Sequence, residues 1–147
     1  MSRPAITAAC EAIVEAAPGL LPIWREHLSD HNDEALPHVF FGDVARYFEG
    51  WADTASDDEL SGFLAAIERL AGAKGYEENL INVSFIEHFA WGNERQNGLL
   101  DRLWSRFGSA TQRAVVGMRN YPDSLTWDDK ELERRAAAQR SARDSSR

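Results

Sequence analysis

The stretch from Tyr76 to Trp91, YEENLINVSFIEHFAW, limits the possible folds more than any other part of the chain. It is apolar at Leu80, Ile81, Val83, Phe85, Ile86, Phe89 and Ala90. On a regular helix, at about 100° per residue, those positions cover far more than the single stripe of a surface helix. Only Ser84, Glu87 and His88 are left to face water. A helix of this kind must be packed on several sides, which predicts the core helix of an all-α domain. Asn82 falls inside the apolar arc, between Phe89 and Ile86, and a buried carboxamide needs hydrogen-bond partners. The expectation is that it bonds to polar groups of a neighbouring helix and fixes the docking of the core helix.

The flanking sequence has the same 3.6-residue period. Pro4 suits a first helical turn, and Ile6, Cys10, Ile13, Val14 and Ala17 follow until Pro18-Gly19. Pro22 opens a short segment with Ile23, Trp24 and Leu28, and SDHNDE (29–34) is a polar loop. Leu36-Pro37 starts a helix carrying Phe40, Phe41, Val44, Ala45, Phe48, Trp51 and Ala52, in which Gly42 and Gly50 are weak points unless packing requires them. Ser56 and Glu59 form a capping box ahead of Leu60, Phe63, Leu64, Ile67 and Leu70, and Gly72 to Gly75 end that helix. After the core helix, stopped near Gly92, a GNERQN loop leads to an amphipathic helix with Leu99, Leu100, Leu103, Trp104 and Phe107. Ser109 to Gln112 is a second capping-box pattern, before Val115, Val116 and Met118, and Pro122 ends that helix. Thr126 is a candidate cap for a last helix through Trp127 and Leu132.

No run alternates with period 2 between hairpin turns, so strands are not expected. The prediction is about six or seven antiparallel helices, either stacked hairpins of the armadillo or HEAT type or an irregular bundle. A single helical domain covers 1–132. The charged, alanine-rich tail 133–147 is expected to be partly disordered, fraying after about Gln139.

Charge is unevenly spread over the 147 residues, whose net charge is −8. Residues 26–94 hold fifteen acidic side chains against three basic ones, whereas residues 95–147 hold eleven basic against seven acidic. An acidic middle repels nucleic acid and attracts basic surfaces, so a nucleic-acid partner is not expected. The lone Cys10, among apolar neighbours, forms no internal disulfide and suits a reducing compartment. Met1 to Pro18 carries Glu11 and Glu15 where a secretory leader would be apolar, and no apolar run approaches the roughly 20 residues of a membrane span. The cytoplasm is the predicted location, with no membrane association.

LPHVFFGDVARYF (36–48), ELSGFLAAIERLAG (59–72) and NLINVSFIEHF (79–89) share a pattern: Leu36-Pro37, Phe41-Gly42, Ile67-Glu68 and Phe85-Ile86-Glu87. In this the chain resembles a family of small acidic helical bacterial proteins, similar to the immunity partners of secreted toxins. The resemblance covers about a third of the chain and rests mostly on packing residues. It implies a binding protein and transfers no catalytic residue.

Candidate chemistry is sparse. His27 and His31 are four apart, near Asp30, Asp33, Glu34 and His38, and two imidazoles at that spacing can share a metal ion. A solvated polar loop accounts for them better, since His31 lies where the helix ends and the Glu that would follow His27 in a zinc-protease pattern is missing. Glu87-His88 could be an acid–base pair, but adjacent helical residues diverge by about 100°. Glu68 and Glu87 each follow an isoleucine late in a helix, and two buried carboxylates would need a cation between them. A phosphate-cradling loop, a nucleophile elbow and a dinucleotide fingerprint are missing from the sequence.

The leading expectation is a non-enzymatic binding protein without cofactor: an immunity protein that neutralises a basic toxin domain. Asp30, Asp33, Glu34, Asp53, Asp57, Asp58, Glu77 and Glu78 are the expected partner-facing residues. Asn82, Glu68 and Glu87 are the expected structural polar groups. The alternatives are a metal-dependent hydrolase using His27 and His31, and a regulatory scaffold whose Arg134, Arg135, Arg140 and Arg143 touch nucleic acid.

Overall fold

The computed structural model describes residues 3–90 and 98–145, and side chains over 5–89 and 98–139. Every regular element among them is helical: α1 (Arg3–Ala16), α2 (Leu21–Asp30), α3 (Pro37–Trp51), α4 (Asp57–Gly72), α5 (76–90), α6 (Leu99–Arg102), α7 (Ser109–Arg119) and α8 (Asp129–Ser145). Short 3-10 turns lie at Pro18–Leu20, Trp104–Arg106 and Asp123–Thr126. The fold is all-α, as the apolar periodicity predicts, with eight helices among the described residues instead of six or seven. The expected stop at Gly92 and the loop after it lie outside the described residues.

The helix α5 packs against α3, α4 and α7. Leu80, Ile81, Phe85, Ile86 and Phe89 are all buried, and Phe48 of α3 meets Phe85 and Phe89 with ring centroids 5.5 Å apart in each case. At its other end α3 touches α5 through His38, whose ring lies 6.2 Å from that of Tyr76. The two helices therefore run parallel, and α4 leads from one to the other.

One feature of α5 departs from the regular wheel. After Tyr76–Ile81 it passes through a π-turn at Asn82–Ile86, closed by the Glu87 N–H donating to the Asn82 carbonyl, before Glu87–Ala90 resumes the α pitch. A π-turn holds one extra residue and winds fewer degrees per residue. Val83, expected inside, is 47% exposed, on the side of the helix next to Glu87.

Two further expectations are corrected. The helix expected to run through Phe107 breaks into α6 and the 3-10 turn Trp104–Arg106, because Leu103 leaves helical dihedrals and Gln112 Nε2 donates to the Trp104 carbonyl at 2.9 Å. The last helix, α8, runs from Asp129 to Ser145. Its start is capped by Asp128, not Thr126: Asp128 Oδ1 accepts the Glu131 N–H at 2.9 Å. Within it, Glu131 holds Arg134 and Arg135 one turn on, Arg135 lies 4.2 Å from the Trp127 ring centroid, and Ala136 is buried.

Candidate functional site

The eight acidic residues expected to meet a partner fall at opposite ends of α3. Asp30, Asp33 and Glu34 precede it, and Asp53, Asp57 and Asp58 follow it. A fifteen-residue helix is about 22 Å long, so the groups form two separate patches. Contact between His38 and Tyr76 brings the start of α5, with Glu77 and Glu78, to the first end.

The patches differ electrostatically. Beyond α3, Asp53 Oδ1 accepts from Arg102 at 2.9 Å and Asp57 Oδ1 from Arg106 at 3.1 Å. Arg106 also donates to the Asp57 carbonyl and to Ser61 Oγ. The basic third of the chain is thus folded back along α4 and neutralises part of the acidic middle. At the first end Asp30 and Asp33 are exposed, and no Lys or Arg pairs with them among the described residues. Their loop turns sharply through Asn32 and Asp33 at φ 54° and 62°, left-handed values that Asn and Asp tolerate. Glu78 is held by Lys74 at 3.8 Å.

His27 is not part of a solvated loop. It is 3% exposed, stacked on Trp24 at 5.8 Å, with Phe40 and His31 also against its ring. Its Nε2 accepts the Leu36 N–H at 3.0 Å, which places the proton on Nδ1, a buried atom with no partner among the described residues. Neither nitrogen then offers a lone pair to a metal. His31 Nδ1 bonds the His27 carbonyl at 2.7 Å, and no metal-holding cluster of His, Cys, Asp and Glu occurs among the described residues. Burial pushes the His27 pKa down, helped by the charge of His31 and opposed by Asp43 and Asp30. The acid–base pair Glu87-His88 does not form either: His88 Nε2 faces Glu49 at 3.0 Å.

Glu68 and Glu87 do not share a cation. Glu87 is exposed, with no ion pair among the described residues. Glu68 instead accepts the backbone N–H groups of Ala110 at 3.0 Å and Thr111 at 2.8 Å, and the Thr111 hydroxyl at 2.8 Å. It caps α7 from another helix and takes the role expected of Ser109. The Ser56 cap forms as expected, accepting from the Glu59 N–H at 3.2 Å.

A groove of about 350 Å³ lies between α5, α7 and α8, and sequence reasoning missed it. Asn82 is in its wall, on the first residue of the π-turn. Among the described residues the expected bond from its amide to a neighbouring helix is not made, and Oδ1 is buried without a partner. The groove has a floor of small residues, Ala110, Ala114 and Gly117, on one face of α7. That i, i+4, i+7 series of small side chains was the available signal.

The helical architecture and these polar features define the class, an all-α protein with an open acidic end and a lateral groove. Within that class the chain belongs to the family described as Domain of unknown function (DUF7674), whose profile matches residues 10–121. No curated protein and no solved structure matches the chain. No helix among the described residues is long and apolar enough to cross a membrane.

Proposed function

We propose that this protein is a non-enzymatic binding protein of the cytoplasm, which receives a basic protein surface at the acidic end formed by Asp30, Asp33, Glu34 and Glu77. In its specific form the proposal is immunity: the partner is a basic toxin domain, neutralised by occlusion. One observation carries the reading. Among the described residues Asp30 and Asp33 are exposed without a Lys or Arg partner, whereas Asp53 and Asp57 are already paired with Arg102 and Arg106. Unpaired carboxylates steer a cationic partner, while paired ones contribute little field.

The reading is tested by co-expressing the chain with the product of its neighbouring reading frame and measuring binding at two salt concentrations. Asp30→Lys with Asp33→Lys should weaken association at least about tenfold, mainly through a slower on-rate at low salt. Asp53→Lys with Asp57→Lys should change affinity little. Equal effects of the two double variants, or no association with that product, would overturn it.

A further inference from the structure

We propose that the His27–Leu36 contact is a pH-sensitive latch on the open acidic end, which keeps that end formed while the imidazole is neutral and releases it on protonation. Such a latch regulates the site argued above and rests on that reading of it.

The loop between α2 and α3 carries Asp33 and Glu34. Its first half is tied to α2 by backbone bonds, from the Asp33 N–H to the Leu28 carbonyl at 2.7 Å and from the Glu34 N–H to the His31 carbonyl at 3.0 Å. Asn32 and Asp33 hold left-handed dihedrals, which persist only where the surroundings fix them. The loop ends at Leu36, the N-cap residue of α3, whose own side chain supplies no cap. Its N–H is held from α2 by His27 Nε2 at 3.0 Å, so a single imidazole closes the loop.

Protonation undoes that closure. A proton on Nε2 meets the Leu36 N–H, donor against donor, and Nδ1 is buried with no acceptor among the described residues. The imidazolium would be enclosed against Trp24 and Phe40 without a hydrogen bond on either nitrogen, a cost relieved only if the ring or the loop moves. The charges around the ring come from both helices. Beside it, a cavity of about 530 Å³ is lined by Glu26, Asp30 and His31 of α2 and by Asp43, Arg46 and Tyr47 of α3. Arg46 pairs with Asp43, and the Tyr47 phenol, its pKa raised by burial, stays neutral. Burial and His31 disfavour the imidazolium, while Asp43 and Asp30 favour it. A cationic partner seated on Asp30 brings a further positive charge to the same cluster. Partner and proton therefore oppose one another, and each weakens the binding of the other by the same factor.

The test is an NMR titration of the full chain with the basic peptide acetyl-Lys-Ala-Lys-Lys-Ala-Lys-amide at low salt, followed at the Asp30 and Asp33 amides and at the His27 ring nitrogens. In the free protein the ring should titrate below the ordinary value of about 6.5, and the Leu36 amide should shift over the same range. The peptide should bind about fivefold more weakly at about pH 5 than at about pH 7.5. Saturating peptide should move the His27 titration to lower pH. His27→Gln keeps an acceptor for Leu36 without the titration, and should lose less than about twofold over the same range. The two titrations of the parent do not depend on that variant folding. A Leu36 amide indifferent to His27 protonation, a His27 titration unmoved by bound peptide, or an equal pH dependence in His27→Gln would overturn the latch and leave the acidic end as a binding site. No binding at about pH 7.5, with the His27 and Leu36 titrations still coupled, would instead overturn the reading of the acidic end, and the proposal with it.

Discussion

Glu68 and Thr111, forty-three positions apart, are joined twice: Glu68 Oε1 accepts both the backbone N–H and the hydroxyl of Thr111 at 2.8 Å. The other carboxylate oxygen takes the Ala110 N–H. A carboxylate here satisfies donors that the first turn of a helix leaves unpaired, and its charge faces the positive end of the helix dipole. Glu68→Ala should therefore cost about 1–2 kcal/mol in urea unfolding. Gly108 makes the relationship testable. Its backbone is in an ordinary extended conformation, but an added Cβ would lie 2.2 Å from Glu68 Cδ. Gly108→Ala should displace the carboxylate and destabilise the parent by a similar amount. In the Glu68→Ala background the same change should cost almost nothing. Additive effects in the double variant would show that Gly108→Ala acts independently of the Glu68 carboxylate.

This contact also shows where sequence reading reaches its limit. The Ser56 cap was legible because its partner, Glu59, is three residues away. The partners of Glu68 lie beyond α5 and a loop, and no local pattern ties them to it. The core helix was legible from its apolar breadth, but which edge of that breadth α3, α4 and α7 leave uncovered, and so the exposure of Val83, depends on the tertiary fold. His27 was read among polar loop residues because the stacking of Trp24 and the Leu36 N–H that fill its surroundings come from the tertiary fold. In α8, Glu131 with Arg134 and Arg135 forms helical pairs at the spacing that stabilises a helix, a signal that is local and so readable in the sequence. The acidic excess was plain; which acids are already paired was not.

Gly62 is a test of opposite sign to Gly108. It sits in the middle of α4, and a Cβ there would meet nothing within 4 Å. Gly62→Ala should stabilise the protein by about 0.5–1 kcal/mol, since alanine loses less backbone entropy on folding. A lower urea midpoint would mean that a partner or an unseen contact occupies that surface.

Cys10 is fully enclosed by the core, and burial, with Glu11 adding to it, pushes the thiol pKa up to about 12. The thiolate is the reactive form, so the native protein should resist an aromatic disulfide reagent at about pH 8. Modification should rise with urea in step with loss of helical signal. Fast labelling without urea would show that α1 opens independently of the core.

The final prediction concerns acid. His27 must stay neutral in the fold, because Nε2 accepts the Leu36 N–H and a second proton there would set donor against donor. Burial holds its pKa below the ordinary value, with His31 adding to the effect and Asp43 and Asp30 opposing it. In the unfolded chain the imidazole titrates near about 6.5. Below that value the unfolded state binds more protons than the folded one, so stability must fall as pH falls. Above it both states are neutral and the contribution is complete. Urea midpoints should thus be flat between about pH 7 and 8 and drop toward about pH 5, with exchange of the Leu36 amide accelerating first. His27→Gln keeps a carbonyl acceptor for Leu36 and removes the titration, so it should flatten the slope over that window. An unchanged slope in His27→Gln would show that the acid sensitivity does not come from His27 and that the Leu36 contact does not depend on its protonation.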